Sequence, residues 1–220
     1  MPHAVIWDVD GTLVDTAELH FQAWVEVARE LNKPFTRAGF AATFGRRNPD
    51  ILRQLFGPEF SEGDLARWGE RKEELYRAAA ENGVDLLPGA RPLLEGLQVA
   101  GILQAIGSSA PRHNLDLIMR LTDTARYFAA VVSMEDTHRG KPDPQVFLLA
   151  SQRLGVEPGR CLVMEDAVAG VEAARAARMR SIAVRFVGHH PADRLKAAGA
   201  DLVVESLEEV SATMVEDLVR

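Results

Sequence analysis

Six short apolar runs recur along the chain, and they constrain its fold more than any other feature. The runs are AVIW (4–7), ILQAI (102–106), AVV (130–132), CLVM (161–164), SIAV (181–184) and DLVV (201–204). Segments with helical spacing lie among and after the later runs, at 111–120, 143–154, 167–177 and 206–219. Strands that alternate with helices form a parallel sheet covered on both faces. The pattern therefore predicts an α/β protein whose core is a doubly wound, Rossmann-like parallel sheet.

The stretch from Ala17 to Asn82 has a different pattern. It contains four helical patterns and no convincing strand, with breaks at proline and glycine residues. It begins just after the first apolar run, and turn-forming Asn-Gly and Pro-Gly pairs follow it. We predict a small α-helical cap domain over residues 16–87 with hinges at both ends. This domain is inserted into an α/β core of residues 1–15 and 88–220.

Composition narrows the class of protein. Of the 220 residues, 47% are apolar and 26% are charged, which fits a globular protein and excludes disordered and fibrous chains. The net charge of −7 gives no overall attraction to nucleic acid or anionic membranes, so neither is expected as a partner. Cys161 is the only cysteine, which leaves no intramolecular disulfide and predicts a buried, inert thiol. The N-terminal residues carry no leader pattern, so we expect a cytoplasmic protein, and we also expect a monomer.

Polar residues stand next to the predicted strands, at the ends where an open parallel sheet binds its ligands. Asp8, Asp10, Gly11 and Thr12 follow the first run, Gly107, Ser108 and Ser109 follow the second, Lys141 and Pro142 precede a helix, and Glu165 and Asp166 follow CLVM. We expect four carboxylates, a hydroxyl and an ammonium to converge at one edge of the sheet.

The carboxylates at this edge predict a magnesium site. If strand alternation continues into the loop, Asp8 and Asp10 point the same way, and two anions that close together need a cation. Glu165 and Asp166 supply further oxygen ligands of the kind that Mg²⁺ prefers. For any one aspartate, a helix cap or a turn is an equally good interpretation. For the whole set of carboxylates, helix caps and turns are a much poorer interpretation than a metal site.

Lys141 and Ser108 supply the complementary half of a phosphate site. A carboxylate approaches a phosphoryl group only if a metal and a cation offset the repulsion, and Lys141 can provide the cation. The Ser108 hydroxyl and the backbone amides of the loop from Gly107 to Ala110, which includes Ser109 and opens a helix, can donate to the phosphate oxygens. Taken alone, Lys141 fits a solvated lysine and Ser108 fits an ordinary loop serine.

Four motifs together resemble the haloacid dehalogenase-like superfamily of phosphohydrolases: DVDGTLVDT (8–16), IGSSAPR (106–112), GKPDP (140–144) and VMEDAVAG (163–170). The resemblance covers essentially the whole chain. It implies that Asp8 becomes phosphorylated, and that Asp10 protonates the leaving oxygen and later activates water. It also implies that Asp8, the backbone carbonyl of Asp10, and Asp166 hold Mg²⁺, with Glu165 in support. Ala167 departs from the pattern, because many members have serine there.

The predicted cap is similar to that of β-phosphoglucomutases and related sugar-phosphate phosphatases. The similarity covers Thr16 and His20 in the leading helix and Lys72 in ERKEELY. It implies that the loop FGRRNPD (44–50) covers the substrate, with Gly45, Arg46, Arg47 and Asn48 as binding residues. The mutases of the family carry arginine where our register places Asn48. Whether the neighbouring Arg47 takes the place of that arginine is left open by the sequence.

Ordinary structural roles also fit the cap residues. His20 fits a packed helix histidine as well as a substrate-binding one. Arg71 and Lys72 lie in a charged run that is typical of a solvated helix face. Phe21 and Trp24, together with Val25, follow helical spacing and are expected to form the cap's own core.

Three functions follow from these features. The first is a phosphatase of small phosphorylated metabolites that works through a phosphoaspartate, with sugar phosphates as the expected substrates. The second is a hexose phosphate mutase that uses the same residues. The third is a non-catalytic sensor of a phosphorylated ligand, which predicts a broken site, whereas this chain keeps all of the motif residues. Dehalogenases of the superfamily lack the second aspartate of the first motif, so Asp10 indicates phosphoryl transfer.

Overall fold

A single parallel sheet forms the centre of the computed structural model, which describes residues 3–219. Its strands are β1 (Ala4–Trp7), β2 (Leu103–Gly107), β3 (Ala130–Val132), β4 (Cys161–Glu165), β5 (Arg180–Val184) and β6 (Leu202–Val204). They pair in the order β3-β2-β1-β4-β5-β6, and every pair is parallel. The predicted strands and the α/β class are confirmed.

Ten α-helices lie within the described residues. They are α1 (Ala17–Glu30), α2 (Arg37–Thr43), α3 (Asn48–Phe56), α4 (Glu62–Ala80), α5 (Ala90–Val99), α6 (Arg112–Thr122), α7 (Gln145–Leu154), α8 (Val168–Ala176), α9 (Ala192–Ala198) and α10 (Ala212–Leu218). The helices predicted at 111–120, 143–154 and 167–177 are therefore confirmed as α6, α7 and α8. Helices α1–α4 make up the segment predicted to be the cap.

The helix predicted over 206–219 is wrong in part, because a short 3₁₀ helix (Leu207–Glu209) precedes α10 there. Each piece starts at its own serine. The Ser206 hydroxyl accepts a hydrogen bond from the Glu208 amide, and the Ser211 hydroxyl accepts one from the Met214 amide. Serine side chains that bond nearby amides favour helix starts over helix interiors, so two serines divide the segment.

The central strand β1 is buried on both faces. Val5 and Trp7 pack into one apolar cluster, whereas Ala4 and Ile6 pack into another on the opposite face of the sheet. This alternation explains why a strand in a doubly covered sheet has a continuous apolar sequence. Cys161 is also buried, as predicted, and burial raises the pKa of its thiol to about 11, so little of it is ionised at neutral pH.

The cap helices have an apolar cluster of their own. Trp24 packs against Phe56, and Phe21 packs against Phe35 and Phe40. Val25 was expected in this core but is 36% exposed. It follows Trp24 directly on α1, and successive helical residues are rotated by about 100° from one another, so Val25 turns towards solvent.

Two extended segments that join the cap helices to the sheet run side by side. Val14 forms an antiparallel bridge with Leu86, and the Leu87 amide donates to the Leu13 carbonyl at 3.0 Å. The predicted domain boundaries fall in or beside these paired segments, and the hinge function stays a prediction. None of the helices in residues 3–219 has the length and apolarity needed to cross a membrane.

The strand order places a ligand site beyond β1. The chain crosses from β1 towards β2 and β3 on one side, and β4, β5 and β6 extend the sheet on the other. Connections that leave in opposite directions open a crevice outside the carboxyl ends of the central strands. The loops after β1, β2 and β4 border this crevice, and α1–α4 lie over it.

Candidate active site

Asp8 lies at the floor of the crevice, directly after β1. Its amide donates to the Met164 carbonyl at 3.0 Å, which continues the strand pairing and fixes the backbone. Its carboxylate accepts a hydrogen bond from the Lys141 ammonium at 2.7 Å, and Lys141 also donates to Glu165 at 2.5 Å. Burial alone lowers the pKa of Lys141, but the two carboxylates outweigh burial and raise it. Lys141 is therefore a fixed cation beside Asp8.

Three buried carboxylates lie close to one another beside this cation. Oxygen atoms of Asp8, Glu165 and Asp166 lie within 4.8 Å of one another. Burial raises the pKa of Asp8 to about 7, with Lys141 opposing the rise and Glu165 adding to it. Burial and the two neighbouring carboxylates also raise the pKa of Asp166 well above its usual value. One ammonium does not balance three carboxylates, and a set of oxygen donors with excess negative charge suits a divalent cation.

Glu165 orients its neighbours as well as adding charge. One carboxylate oxygen accepts from Lys141, and the other accepts from the amides of Asp166 and Ala167 at 2.8 and 2.7 Å. Ala167 is the N-cap residue of α8, and its side chain cannot accept a capping hydrogen bond. The Glu165 carboxylate instead accepts a hydrogen bond from the Ala167 amide. The supporting role expected for Glu165 at the metal stays a prediction.

Gly11 lets the loop after β1 approach Asp166. A β-carbon on Gly11 would lie 2.4 Å from a carboxylate oxygen of Asp166, and the residue has a φ of +84°. Any other residue would therefore collide with Asp166 and strain the backbone. In the same loop the Thr12 hydroxyl donates to Asp166 at 3.4 Å.

The Asp10 carboxylate turns to the cap and not to the acidic group. It accepts a hydrogen bond from Thr16 at 2.6 Å and contacts the Nε2 atom of His20 at 2.9 Å. Burial raises the pKa of Asp10, but His20, Thr16 and Lys72 outweigh burial and lower it to about 2. The expectation for metal binding concerned the backbone carbonyl of Asp10, and it stays a prediction.

A chain of buried polar contacts leads from Asp10 into the cap. The Lys72 ammonium lies 2.6 Å from the Nδ1 atom of His20 and 3.0 Å from Glu73. An ammonium has no acceptor, so Nδ1 must accept and Nε2 carries the proton that is donated to Asp10. Glu73 also accepts from Asn48 and from Asn114 of α6, each at 2.6 Å. This chain joins the catalytic loop, the cap and the core.

Sequence reasoning missed Glu73, Tyr76 and Asn114. The Tyr76 ring stacks on His20 with centroids 4.1 Å apart, and its hydroxyl donates to Asp10 at 3.3 Å. Tyr76 lies four residues after Lys72 on α4, so helical spacing alone could have placed both on one face. Asn114 and Glu73 meet across 41 positions of sequence, and no local pattern indicates that contact.

The loop after β2 forms the opposite wall of the crevice. Ser108 is buried, its amide donates to the Val132 carbonyl, and its hydroxyl accepts from the Ala110 amide at 3.1 Å. Ser108, Ser109 and Ala110 all line the cavity that contains Asp8. The loop therefore brings Ser108 and Ser109 to the wall of the cavity, while the amides of Ser108 and Ala110 are already donated within the protein.

The cavity beside Asp8 is small and partly open to solvent. It measures about 50 Å³, and the residues around it are Asp8, Asp10, His20, Trp24, Phe40, Phe44, Gly45, Arg46, Asn48, Ile51, Lys72, Glu73, Ser108, Ser109 and Ala110. Clefts that hold small-molecule ligands measure about 300–1,000 Å³. The cavity is therefore smaller than a phosphorylated sugar requires, and we expect the cap to move away for one to enter.

The cap loop contributes three of its four expected residues to the cavity. Gly45, Arg46 and Asn48 line it, with Arg46 donating to Gln54 at 3.1 Å and Asn48 held by Glu73. Arg47 was expected over the substrate, but its side chain leaves the cavity and donates to carbonyls of a core loop. Adjacent residues at the start of α3 point in different directions, which spacing in the sequence did not reveal.

Comparison with known proteins identifies relatives of this arrangement. A family model described as haloacid dehalogenase-like hydrolase matches residues 2–178. The β-phosphoglucomutase of Bacillus subtilis (strain 168) is 32% identical over 215 residues, which are 94% of this chain and 91% of that protein. Hexitol phosphatase B of Escherichia coli (strain K12) is 31% identical over 218 residues, 95% of this chain and 94% of that protein.

A solved structure shares the whole architecture. The β-phosphoglucomutase of Clostridium difficile superposes with a TM-score of 0.89 at 26% sequence identity, over 100% of this chain and 97% of that one. Some relatives are longer: the chain spans 55% of a chloroplastic 5-amino-6-(5-phospho-D-ribitylamino)uracil phosphatase of Arabidopsis thaliana, with 31% identity over 208 residues.

Proposed function

The chain belongs to the haloacid dehalogenase-like hydrolases, and we propose that it is a magnesium-dependent phosphatase of small sugar phosphates with Asp8 as its nucleophile. The relatives support an enzyme of the phosphohydrolase or phosphomutase type. The observation that carries the proposal is that two carboxylates close together in the sequence have different surroundings. Asp8 lies among anions beside Lys141, whereas Asp10 is held by cap residues.

The first step is attack of an Asp8 oxygen on the phosphorus atom. Lys141 and the loop at Ser108 can hold the phosphate oxygens near Asp8. Asp8 and Asp166 would hold Mg²⁺, which would supply the further positive charge that phosphoryl transfer needs. The bond from phosphorus to the sugar oxygen breaks as the bond to Asp8 forms. The sugar oxygen leaves with a proton from Asp10, and Asp8 carries the phosphoryl group.

Asp10 has the second role, as acid and then as base. In the free enzyme its low pKa leaves it ionised, as a base must be, but so low a pKa also makes it a weak base, so both roles need its pKa to rise on the reaction path. The acid role requires Asp10 to gain a proton once substrate is bound. A nearby phosphate favours this, because like charge raises the pKa of a neighbouring carboxyl.

The mutase remains the second candidate because of the closed cap. A cavity of about 50 Å³ holds only a few water molecules, which would slow hydrolysis of a phosphoaspartate. The Asn48 side chain supports the phosphatase instead. In the register expected from the sequence it stands where the family's mutases carry arginine, and its hydrogen bond to Glu73 ties it into the cap.

Phosphorus NMR of a substrate panel tests the proposal. The enzyme and Mg²⁺ are incubated with hexose and pentose phosphates, β-glucose 1-phosphate included, with the Asp8→Asn variant as control. We expect free phosphate in proportion to substrate consumed. An isomeric sugar phosphate with little free phosphate would indicate a mutase. No turnover of any sugar phosphate, or of a chromogenic phosphomonoester, would contradict phosphoryl transfer altogether.

A further inference from the structure

Arg47 links the cap to the core at a point outside the cavity. Its Nη2 atom donates to the Thr137 carbonyl at 2.9 Å and to the Arg139 carbonyl at 3.1 Å, and it also contacts the Thr137 hydroxyl. These acceptors belong to the core segment 137–140, which leads directly into Lys141. The link therefore joins the cap to the segment that carries the cation beside Asp8.

Gly140 provides room for this link. A β-carbon on Gly140 would lie 3.0 Å from the Cγ and Cδ atoms of Arg47, closer than side chains ordinarily pack. The aliphatic part of Arg47 therefore lies against the backbone of Gly140. We call the set of Arg47, Thr137, Arg139 and Gly140 the Arg47 clasp.

The acceptors in the clasp favour a contact that can open. All three are neutral oxygen atoms, so opening the cap breaks hydrogen bonds without separating an ion pair. Water can replace such bonds once the guanidinium is exposed. The cavity is too small for a sugar phosphate while the cap is closed, so contacts of this kind must break and form again in each turnover.

We propose that Arg47 is a positioning residue that holds the cap closed over the phosphoryl site by binding the segment ahead of Lys141. Arg47 does not touch the substrate in this role. It acts on every substrate alike, because it sets the fraction of enzyme in the closed state and the placement of Lys141. This inference rests on the proposed phosphoryl transfer, and it goes beyond it by assigning the closing contact.

The kinetic test compares substrates of different size. In Arg47→Met we expect kcat/KM to fall about tenfold, the order expected for losing two or three hydrogen bonds, and by the same factor for acetyl phosphate and for the best sugar phosphate. Arg47→Lys should recover part of the loss. Arg53→Met is the matched control, since Arg53 lies on the same helix and pairs with Glu62 at the surface, and it should behave as wild type. A loss confined to the sugar phosphate, or no loss at all, would overturn the proposal.

A second readout does not depend on turnover. Hydrogen exchange followed by mass spectrometry should show faster exchange at 137–141 in Arg47→Met and in Gly140→Ala, and unchanged exchange in the sheet. Gly140→Ala keeps the Arg47 guanidinium and disturbs only the backbone surface on which the Arg47 side chain lies. It therefore replaces Arg47→Met in the test if that variant folds poorly. Unchanged exchange at 137–141 in both variants would overturn the clasp. Failure of the wild type on every phosphate compound would instead overturn the proposed function.

Discussion

The core half and the cap half of the cavity shift the pKa of a buried aspartate in opposite directions. In the core half, Asp8, Glu165 and Asp166 share one ammonium, and burial among anions raises the pKa of Asp8 to about 7. In the cap half, Asp10 meets His20 and Thr16, and its pKa falls to about 2. Asp8 and Asp10 are two positions apart in the sequence, so the surroundings of each side chain, and not its position in the chain, set its charge.

The difference assigns separate tasks to the two halves. The core half is short of positive charge, so it is suited to receive a divalent cation and the phosphate together. The cap half meets two carboxylates with the Lys72 ammonium and with neutral donors such as Thr16, so it has less excess negative charge and can hold Asp10 in place without a metal ion. Removal of a carboxylate should therefore have different consequences on the two sides.

The largest effect is expected from Asp8→Asn. Loss of the nucleophile should reduce turnover by about 10⁶-fold, the order found when a nucleophile is removed from other covalent enzymes. Stability in metal-free buffer should not fall, because the substitution removes one charge from a group with excess negative charge. Steady-state assays and thermal unfolding measure the two properties. Substantial residual turnover in this variant would show that Asp8 is not the nucleophile.

Asp10→Asn comes next. The amide keeps the shape and a contact to His20 but cannot exchange a proton, so both chemical steps should slow by about 10²–10⁴-fold. Single-turnover measurements separate formation of the phosphoaspartate from its hydrolysis. If either step kept the wild-type rate, the acid and base roles would not both belong to Asp10.

A third prediction separates the halves by their response to Mg²⁺. The ion should stabilise the wild type, by about 2.7 kcal/mol when its free concentration is about 100 times the Kd. Asp166→Asn should lose most of this stabilisation, and Asp10→Asn should keep it, because only the first removes a carboxylate from the acidic group. Thermal unfolding with and without Mg²⁺ gives the result. Equal stabilisation in both variants would contradict the division between the halves.

The smallest effect concerns Glu73 and pH. Burial raises the pKa of Glu73, but Lys72, His20 and the bonded asparagines outweigh burial and lower it below the usual 4.5. A lowered pKa in the folded state means that this contribution is complete above about pH 4.5 and is lost as the pH falls through the folded value. As the pH falls below about 4.5, the free energy of unfolding of Glu73→Gln should therefore decrease less than that of the wild type.

The matched control for this change is Glu70→Gln. Glu70 lies one turn earlier on α4 and pairs with Arg77 at the surface, with its side chain 60% exposed. Exposed pairs contribute little to stability, so this variant should follow the wild-type pH curve. Chemical unfolding between pH 3 and 7 provides the comparison. Parallel curves for Glu73→Gln and the wild type would show that Glu73 is not held as an anion by the cap.

The core half could be predicted from the sequence because its parts are local to strands. Asp8, Ser108 and Asp166 each stand next to a strand, and parallel strands end at the same edge of a sheet. Order along the chain was therefore enough to bring these residues together. The division of 206–219 was missed because helical spacing continues through Ser211 while its hydroxyl starts a new helix.

The cap half was harder because tertiary contacts decide it. His20 and Lys72 were identified only through family resemblance, and the pair meets across 52 positions of sequence. Glu73 looked like part of a solvated run yet is 3% exposed, because asparagines from two other helices bond it. The sequence placed Arg47 over the substrate, but the direction of its side chain depends on where the core segment 137–140 lies.

The central claim is that Asp8 carries the phosphoryl group, and chemical trapping tests it most directly. The enzyme is mixed with Mg²⁺ and its best sugar phosphate, quenched in acid, and treated with borohydride, which reduces an aspartyl phosphate to homoserine. Mass spectrometry of the peptide that contains Asp8 should then show homoserine at position 8 only when both Mg²⁺ and substrate were present. Steady release of phosphate with an unmodified Asp8, or with the reduced residue elsewhere, would contradict the account.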